Sequence, residues 1–252
     1  MNRDSKPGPT VFLVGTCHRD PQGFGRCRAL LKKLNPDVIL VEVSPFAVRL
    51  RRDHGRFFLK LFLKNLKKAS AATHMPFASA LRSPLIKPIP RQCALPFEFR
   101  AARQRFRETG SSFFCVDAVD ASRLFMADWP ELLSSANLER LLKGGLPLPP
   151  SASEQYARAR WILAHGNRAL RNRRWNGDSF GWGWHQREQW MEKTVRATLE
   201  RLRPHRLVYL GGWHHVVPGD ALNLYHRLHD LAPQTVLLDE ADNPTVATFQ
   251  LP

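Results

Sequence analysis

Short, unbroken apolar runs alternate along this chain with longer segments in which apolar residues return every three or four positions. The runs lie within Val11 to Val14, Asp37 to Val43 (Val38 to Val41 consecutive), Ser112 to Val116, Arg206 to Leu210 and Thr235 to Leu238. Such runs, closed off by Gly, Asp or Pro, are the pattern of strands buried on both faces. Between them a helical period predicts helices over Gly23 to Leu34, Phe97 to Glu108, Trp129 to Lys143, Ser151 to Arg173, Trp184 to Leu202 and Pro218 to Leu231. Asp20-Pro21 offers an N-cap and a first-turn proline to the first of these, and Asn35-Pro36 ends it. Strand, helix and strand at this spacing form a βαβ unit, whose right-handed crossover makes its two strands parallel and sets their carboxyl ends on one edge. The expected fold is α/β, a central mostly parallel sheet with helices on both faces. Val246 to Leu251 adds a possible edge strand.

An inserted region of different character interrupts this pattern at about residues 45–96. Its first part is helical to about Ala71, and Pro76 to Pro96 carries five prolines and is expected to be irregular. A mainly helical section is expected at about 130–203. With 252 residues, 43% of them hydrophobic and 24% charged, the chain is long enough for one sizeable core, and a single domain over 1–252 is expected.

Charge changes the picture more than composition does. The net charge is +16, and between Arg49 and Arg107 fifteen Lys and Arg face only Asp53 and Glu98, so the basicity is regional. Within it, Phe57 to Lys68 places Lys60, Lys64, Lys67 and Lys68 on one side of a helix and Phe58, Leu61, Phe62 and Leu66 on the other. That face is either a solvated covering or a surface for anionic lipid, nucleic acid or an acidic partner. Cys17, Cys27, Cys93 and Cys115 are scattered without a Cys-x-x-Cys pair, which argues against a disulfide framework or a cysteine zinc site. The Met1 to Pro9 stretch is short and polar and no run approaches the length of a membrane span, so a cytoplasmic location is expected.

The candidate chemistry lies at the strand ends. Gly15-Thr16-Cys17-His18 and Gly211-Gly212-Trp213-His214 both place a histidine three residues after a glycine that stops a buried strand. In open α/β sheets ligands gather at that carboxyl edge. Glu42 ends the Val38 to Val41 run, where a carboxylate is poorly placed for water and needs a partner or a role. Asp117 ends another strand and either joins the site or caps the next turn. His215 rivals His214 by one position. Arg187 shares a helical face with Trp184, Met191 and Val195, which aims its guanidinium inward at a carboxylate or a substrate anion. Two imidazoles and one or two carboxylates are ligand types that suit a divalent metal such as Mn, Co or Zn, with a carboxylate to spare for activating water.

At these residues the chain resembles the TraB/pheromone-shutdown family, which has distant relatives in the Tiki metalloproteases, the erythromycin esterases and the ChaN haem-binding proteins. The resemblance rests on Gly15 to His18, Pro36-Asp37 through Glu42, Pro96-Phe97-Glu98-Phe99-Arg100-Ala101-Ala102, Arg187-Glu188-Gln189-Trp190-Met191 and Gly211 to His214. It departs from the family pattern at Phe97, Ala118 and Glu188. The resemblance implies a metal-dependent hydrolase acting on a peptide or small substrate. His18, His214 and Glu42 would be metal ligands, while Glu42, Glu98 and Arg187 would do the catalytic work. It also leaves open a non-enzymatic protein that sequesters a peptide or haem, with Trp175, Trp182 and Trp184 as an apolar clamp.

Overall fold

The structure, a computed structural model, describes residues 8–166, 183–218 and 222–242. The expected edge strand at 246–251, the tail of the Ser151 to Arg173 helix, and Trp175 and Trp182 lie outside the described residues. The chain divides into two compact units. The first comprises 1–42, 97–117 and 152–252, and the second comprises 43–96 and 118–151.

The first unit is built on five parallel strands: β1 (Thr10–Thr16), β2 (Val38–Val41), β3 (Ser112–Cys115), β4 (Arg206–Gly212) and β5 (Gln234–Leu237), in the order β3-β2-β4-β1-β5. Val11 to Thr16 and Leu207 to Gly212 are buried at every position, so both faces of the sheet are covered, as a parallel sheet requires. The α/β expectation is met. The βαβ unit needs one amendment, because β4 inserts between β1 and β2 and pairs with both.

Among the described residues the helices of this unit are α1 (Gly23–Leu34), α5 (Phe97–Thr109), α9 (Ala152–His165), α10 (Trp184–Leu202) and two single turns, α11 (Trp213–Val216) and α12 (Leu224–Arg227). Helix α1 matches its expected span, and Asn35 ends it in the left-handed conformation, its N–H returning to the Leu31 carbonyl. Its N-cap is Gln22 rather than Asp20, whose carboxylate instead accepts the Gln22 N–H at 2.8 Å. Among the described residues the expected Pro218 to Leu231 helix holds α12 and a short 3-10 turn, with Asn223 capping α12 through the His226 N–H.

The second unit is helical among its described residues, with α2 (Pro45–Ala72), α3 (Phe77–Arg82), α4 (Ile89–Gln92), α6 (Val119–Ala127), α7 (Trp129–Leu132) and α8 (Ser135–Lys143). Helix α2 matches the expected helical first part of the insertion: Ser44 accepts the Ala47 N–H at 3.0 Å and Pro45 occupies the first turn. Gly55 is required inside it, since a Cβ there would lie 2.6 Å from the Cys93 carbonyl oxygen. The proline-rich stretch is less irregular than expected, holding α3 and α4. The expected Trp129 to Lys143 helix breaks in two because the Ser134 hydroxyl caps α8 at Asn137.

Candidate functional site

Because all five strands run the same way, their carboxyl ends share one edge. Glu42 directly follows β2, and its N–H extends the ladder to the Leu210 carbonyl at 2.8 Å. Asp117 lies two residues beyond β3, His18 two beyond β1, and His215 on α11 directly after β4.

Glycine makes their convergence possible. Strand β4 lies between β1 and β2 and ends in Gly211-Gly212, registered against Gly15 and Thr16. A Cβ on Gly211 would come within 2.5 Å of both Glu42 Oε2 and the Tyr209 hydroxyl. A Cβ on Gly212 would lie 3.2 Å from His18 Nε2, 3.5 Å from Glu42 Oε2 and 3.6 Å from His215 Cδ2. The absent side chain at Gly212 therefore leaves a small cradle faced by His18 Nε2 and Glu42 Oε2. The histidine spacing pointed to these glycines only as strand terminators.

Around the cradle runs a chain of alternating charges. Asp117 accepts from Arg187 Nε at 2.6 Å and from Nη2 at 2.9 Å, and the same Nη2 donates to Glu42 Oε1 at 2.5 Å. Glu42 Oε1 also lies 3.0 Å from His215 Nε2, while His215 Nδ1 bonds Glu188 Oε1. Glu188 Oε2 takes the Leu224 N–H at 2.7 Å. The second oxygen of Glu42 accepts from the Gly212 N–H at 2.6 Å and from the Tyr209 hydroxyl at 3.4 Å. Unpaired charges this deep would be costly, and here each of Asp117, Arg187, Glu42, His215 and Glu188 has an opposite neighbour.

The protonation states follow from this arrangement. Burial works against a charged Glu42, but His215 and Arg187 outweigh it and hold the carboxyl well below its usual range. Burial likewise works against a charged His215, yet Glu188 and Glu42 push it up to about 10. Arg187 is raised in spite of its burial, through Glu42 and Asp117. His214 goes the other way: burial, then the neighbouring His215 and His18, lower it to about 3, so it is neutral at pH 7.

A second pair lies beside the chain. His18 Nδ1 is 2.8 Å from Oε1 of Glu98, which also accepts the Thr16 hydroxyl at 2.8 Å. Glu98 is buried in the first turn of α5, and its Oε2 has no hydrogen-bond partner among the described residues. Burial tends to lower the His18 pKa, and the Glu98 charge more than offsets this and raises it. The imidazole side chain is 54% exposed, so solvent screens part of that effect.

Several expectations change here. The imidazole that meets Glu42 is that of His215, whereas His214 packs its ring against Trp213 at a 3.5 Å centroid distance. His214 does repeat the His18 spacing from register-paired glycines, but β4 turns at once into α11 and β1 does not. Arg187 faces carboxylates, its charge balanced by Asp117 and Glu42. Asp117 joins this network and leaves the N-cap of α6 to Ala118, which makes no side-chain cap bond. Trp184 stacks on His215 at 4.6 Å and 12° and is buried in the core.

Glu188, Tyr209 and Thr16 were not singled out as site residues. For Glu188 a signal existed: Trp184, Glu188, Met191, Val195 and Thr198 form the buried stripe of α10, and a carboxylate on such a stripe demands a buried partner.

The fit to a divalent metal is incomplete. His18 Nε2 faces the cradle with Glu98 behind it, as a ligating imidazole is commonly backed by a carboxylate. Glu42, however, already accepts from protein donors on both oxygens, and His215 is bonded at both nitrogens. Among the described residues no three His, Cys, Asp or Glu side chains are grouped to hold a metal ion. The fold and site define an α/β protein with a buried polar network at the carboxyl edge of a parallel sheet. Comparison with protein-family models, curated proteins and solved structures finds no match.

Proposed function

We propose that this chain is a hydrolase of the TraB-like kind, acting on a peptide or small substrate at the cradle over Gly212, with His18 as general base. The observation that carries this reading is the His18 to Glu98 contact of 2.8 Å. With Nδ1–H donated to a buried carboxylate, the tautomer is set and Nε2 is left to take a proton from water. Glu42 Oε2 borders the same cradle and orients that water, and Arg187 and His215 keep Glu42 ionised and in place. The five motifs shared with the TraB/pheromone-shutdown family support the assignment, since Gly15, His18, Glu42, Glu98, Arg187 and Gly211 are all among them.

The test is hydrolysis of a panel of peptides and activated esters by the wild type and by His18→Ala. Loss of a general base lowers kcat by about 10² to 10⁴. A wild type inactive on the whole panel, or a His18→Ala variant of equal activity, overturns the reading.

The carboxylate behind His18 favours a second reading, a metal-dependent hydrolase in which His18 Nε2 and His214 are the candidate imidazole ligands. Metal content after purification without chelator distinguishes the two. Stoichiometric metal lost in both His18→Ala and His214→Ala supports the second reading. Activity that persists through chelation supports the first.

A further inference from the structure

Helix α2, in the second unit, has a face the proposed hydrolase does not use. Its buried side is formed by Ala47, Gly55, Phe62, Leu66 and Ala69. On the other side Arg49, Arg52, Arg56, Lys60, Lys64 and Lys67 follow one another at three- and four-residue steps and are all exposed. Arg52 pairs with Asp53, and the other five have no ion-pair partner among the described residues. At 1.5 Å per residue the Arg49 to Lys67 row runs about 27 Å along the 28-residue helix.

Large apolar side chains are exposed on the same helix. Leu59 and Leu63, 37% and 38% exposed, lie one turn apart on the flank of Arg52, Arg56 and Lys67. Phe57, 60% exposed, heads the row Lys60, Lys64 and Lys68. Among the described residues no other Phe, Tyr or Trp is exposed on α2, so the face lacks the succession of large rings on which bases stack. Aliphatic side chains set among lysines and arginines match a bilayer surface: the apolar groups enter the acyl boundary while the cations reach phosphate and carboxylate headgroups.

We propose that the outer face of α2 docks the protein on an anionic lipid bilayer, with Leu59, Leu63 and Phe57 inserted and the Arg49 to Lys67 row on the headgroups.

The full chain is to be sedimented with phosphatidylcholine vesicles, with and without about one third phosphatidylserine, at about 0.15 M salt. Co-sedimentation is expected only with the anionic vesicles. Each cation removed should weaken partitioning about fivefold, so Lys60→Ala/Lys64→Ala/Lys67→Ala should lose roughly a hundredfold. A second variant, Leu59→Ser/Leu63→Ser, separates insertion from charge: it should lose vesicle binding at least tenfold and keep an unchanged circular dichroism spectrum. Equal binding to neutral vesicles, full binding by either variant, or tighter binding to duplex DNA than to anionic vesicles overturns the proposal.

Discussion

His18 and Glu98, eighty positions apart in the chain, meet through Nδ1 and Oε1 at 2.8 Å, joining the end of β1 to the first turn of α5. Glu98 raises the His18 pKa. Glu98→Gln should therefore move the His18 titration midpoint downward, as followed by its imidazole resonances in NMR. A midpoint that stays put would mean that the buried carboxylate does not govern this imidazole. Because the folded pKa lies above the unfolded one, any stability from this pair is complete at acid pH and is lost as pH rises through the folded value.

Arg187 separates two buried carboxylates. Replacing it with Met leaves Glu42 and Asp117 without their shared cation, and breaking a buried pair in this way costs about 3–5 kcal/mol. Urea denaturation should show a midpoint well below wild type. Arg187→Lys should recover only part of the loss, since an ammonium cannot reproduce the two-pronged contact to Asp117. A near-neutral Arg187→Met would sink the alternating-charge account.

The two adjacent histidines should behave oppositely. His215→Ala strips both Glu42 and Glu188 of a partner and should destabilise strongly, while His214→Ala should leave the thermal midpoint within a few degrees of wild type. The pH dependence has a definite sign. His215 is raised from 6.5 to about 10, so its stabilisation is full below 6.5, declines between 6.5 and about 10, and is gone above. Glu42 is lowered below 4.5, so its contribution is present above 4.5 and is lost as pH falls. His214, lowered to about 3, removes stability as pH falls below 6.5, so maximal stability is expected near pH 6.5. Guanidinium unfolding across pH 4 to 10 would contradict this if stability kept rising on the alkaline side.

Gly211 and Gly212 are next to each other and should still respond differently to alanine. At Gly211 the new Cβ falls 2.5 Å from Glu42 Oε2 and from the Tyr209 hydroxyl, so atoms must move, and overpacking of about 1–3 kcal/mol is expected. At Gly212 its closest neighbour is His18 Nε2 at 3.2 Å, so Gly212→Ala should fold with little loss and fill the cradle. The pair is read by calorimetry and by activity on any substrate found. A fully active Gly212→Ala would show that the cradle is not where reaction occurs.

The sequence by itself determined the elements whose signal is local. Uninterrupted apolar runs marked the five strands, and the stripe of α10 marked its 19 residues, because burial on both faces or on one face writes its own period into the chain. It also determined that Glu42 required a partner, since a carboxylate following Val38 to Val41 has little access to water. Strand order was not written in this way: β4 pairs with β1 and β2, from which it is separated by more than 160 residues, through backbone groups that carry no side-chain signature. The partner of Glu42 was settled by one position, His215 over His214, because α11 begins directly at Trp213 and turns the third residue of that helix toward the sheet edge. The contact of Glu98 with His18 and the empty space over Gly212 likewise belong to tertiary structure alone. They arise where chain segments distant in sequence converge, and no local period records such a meeting.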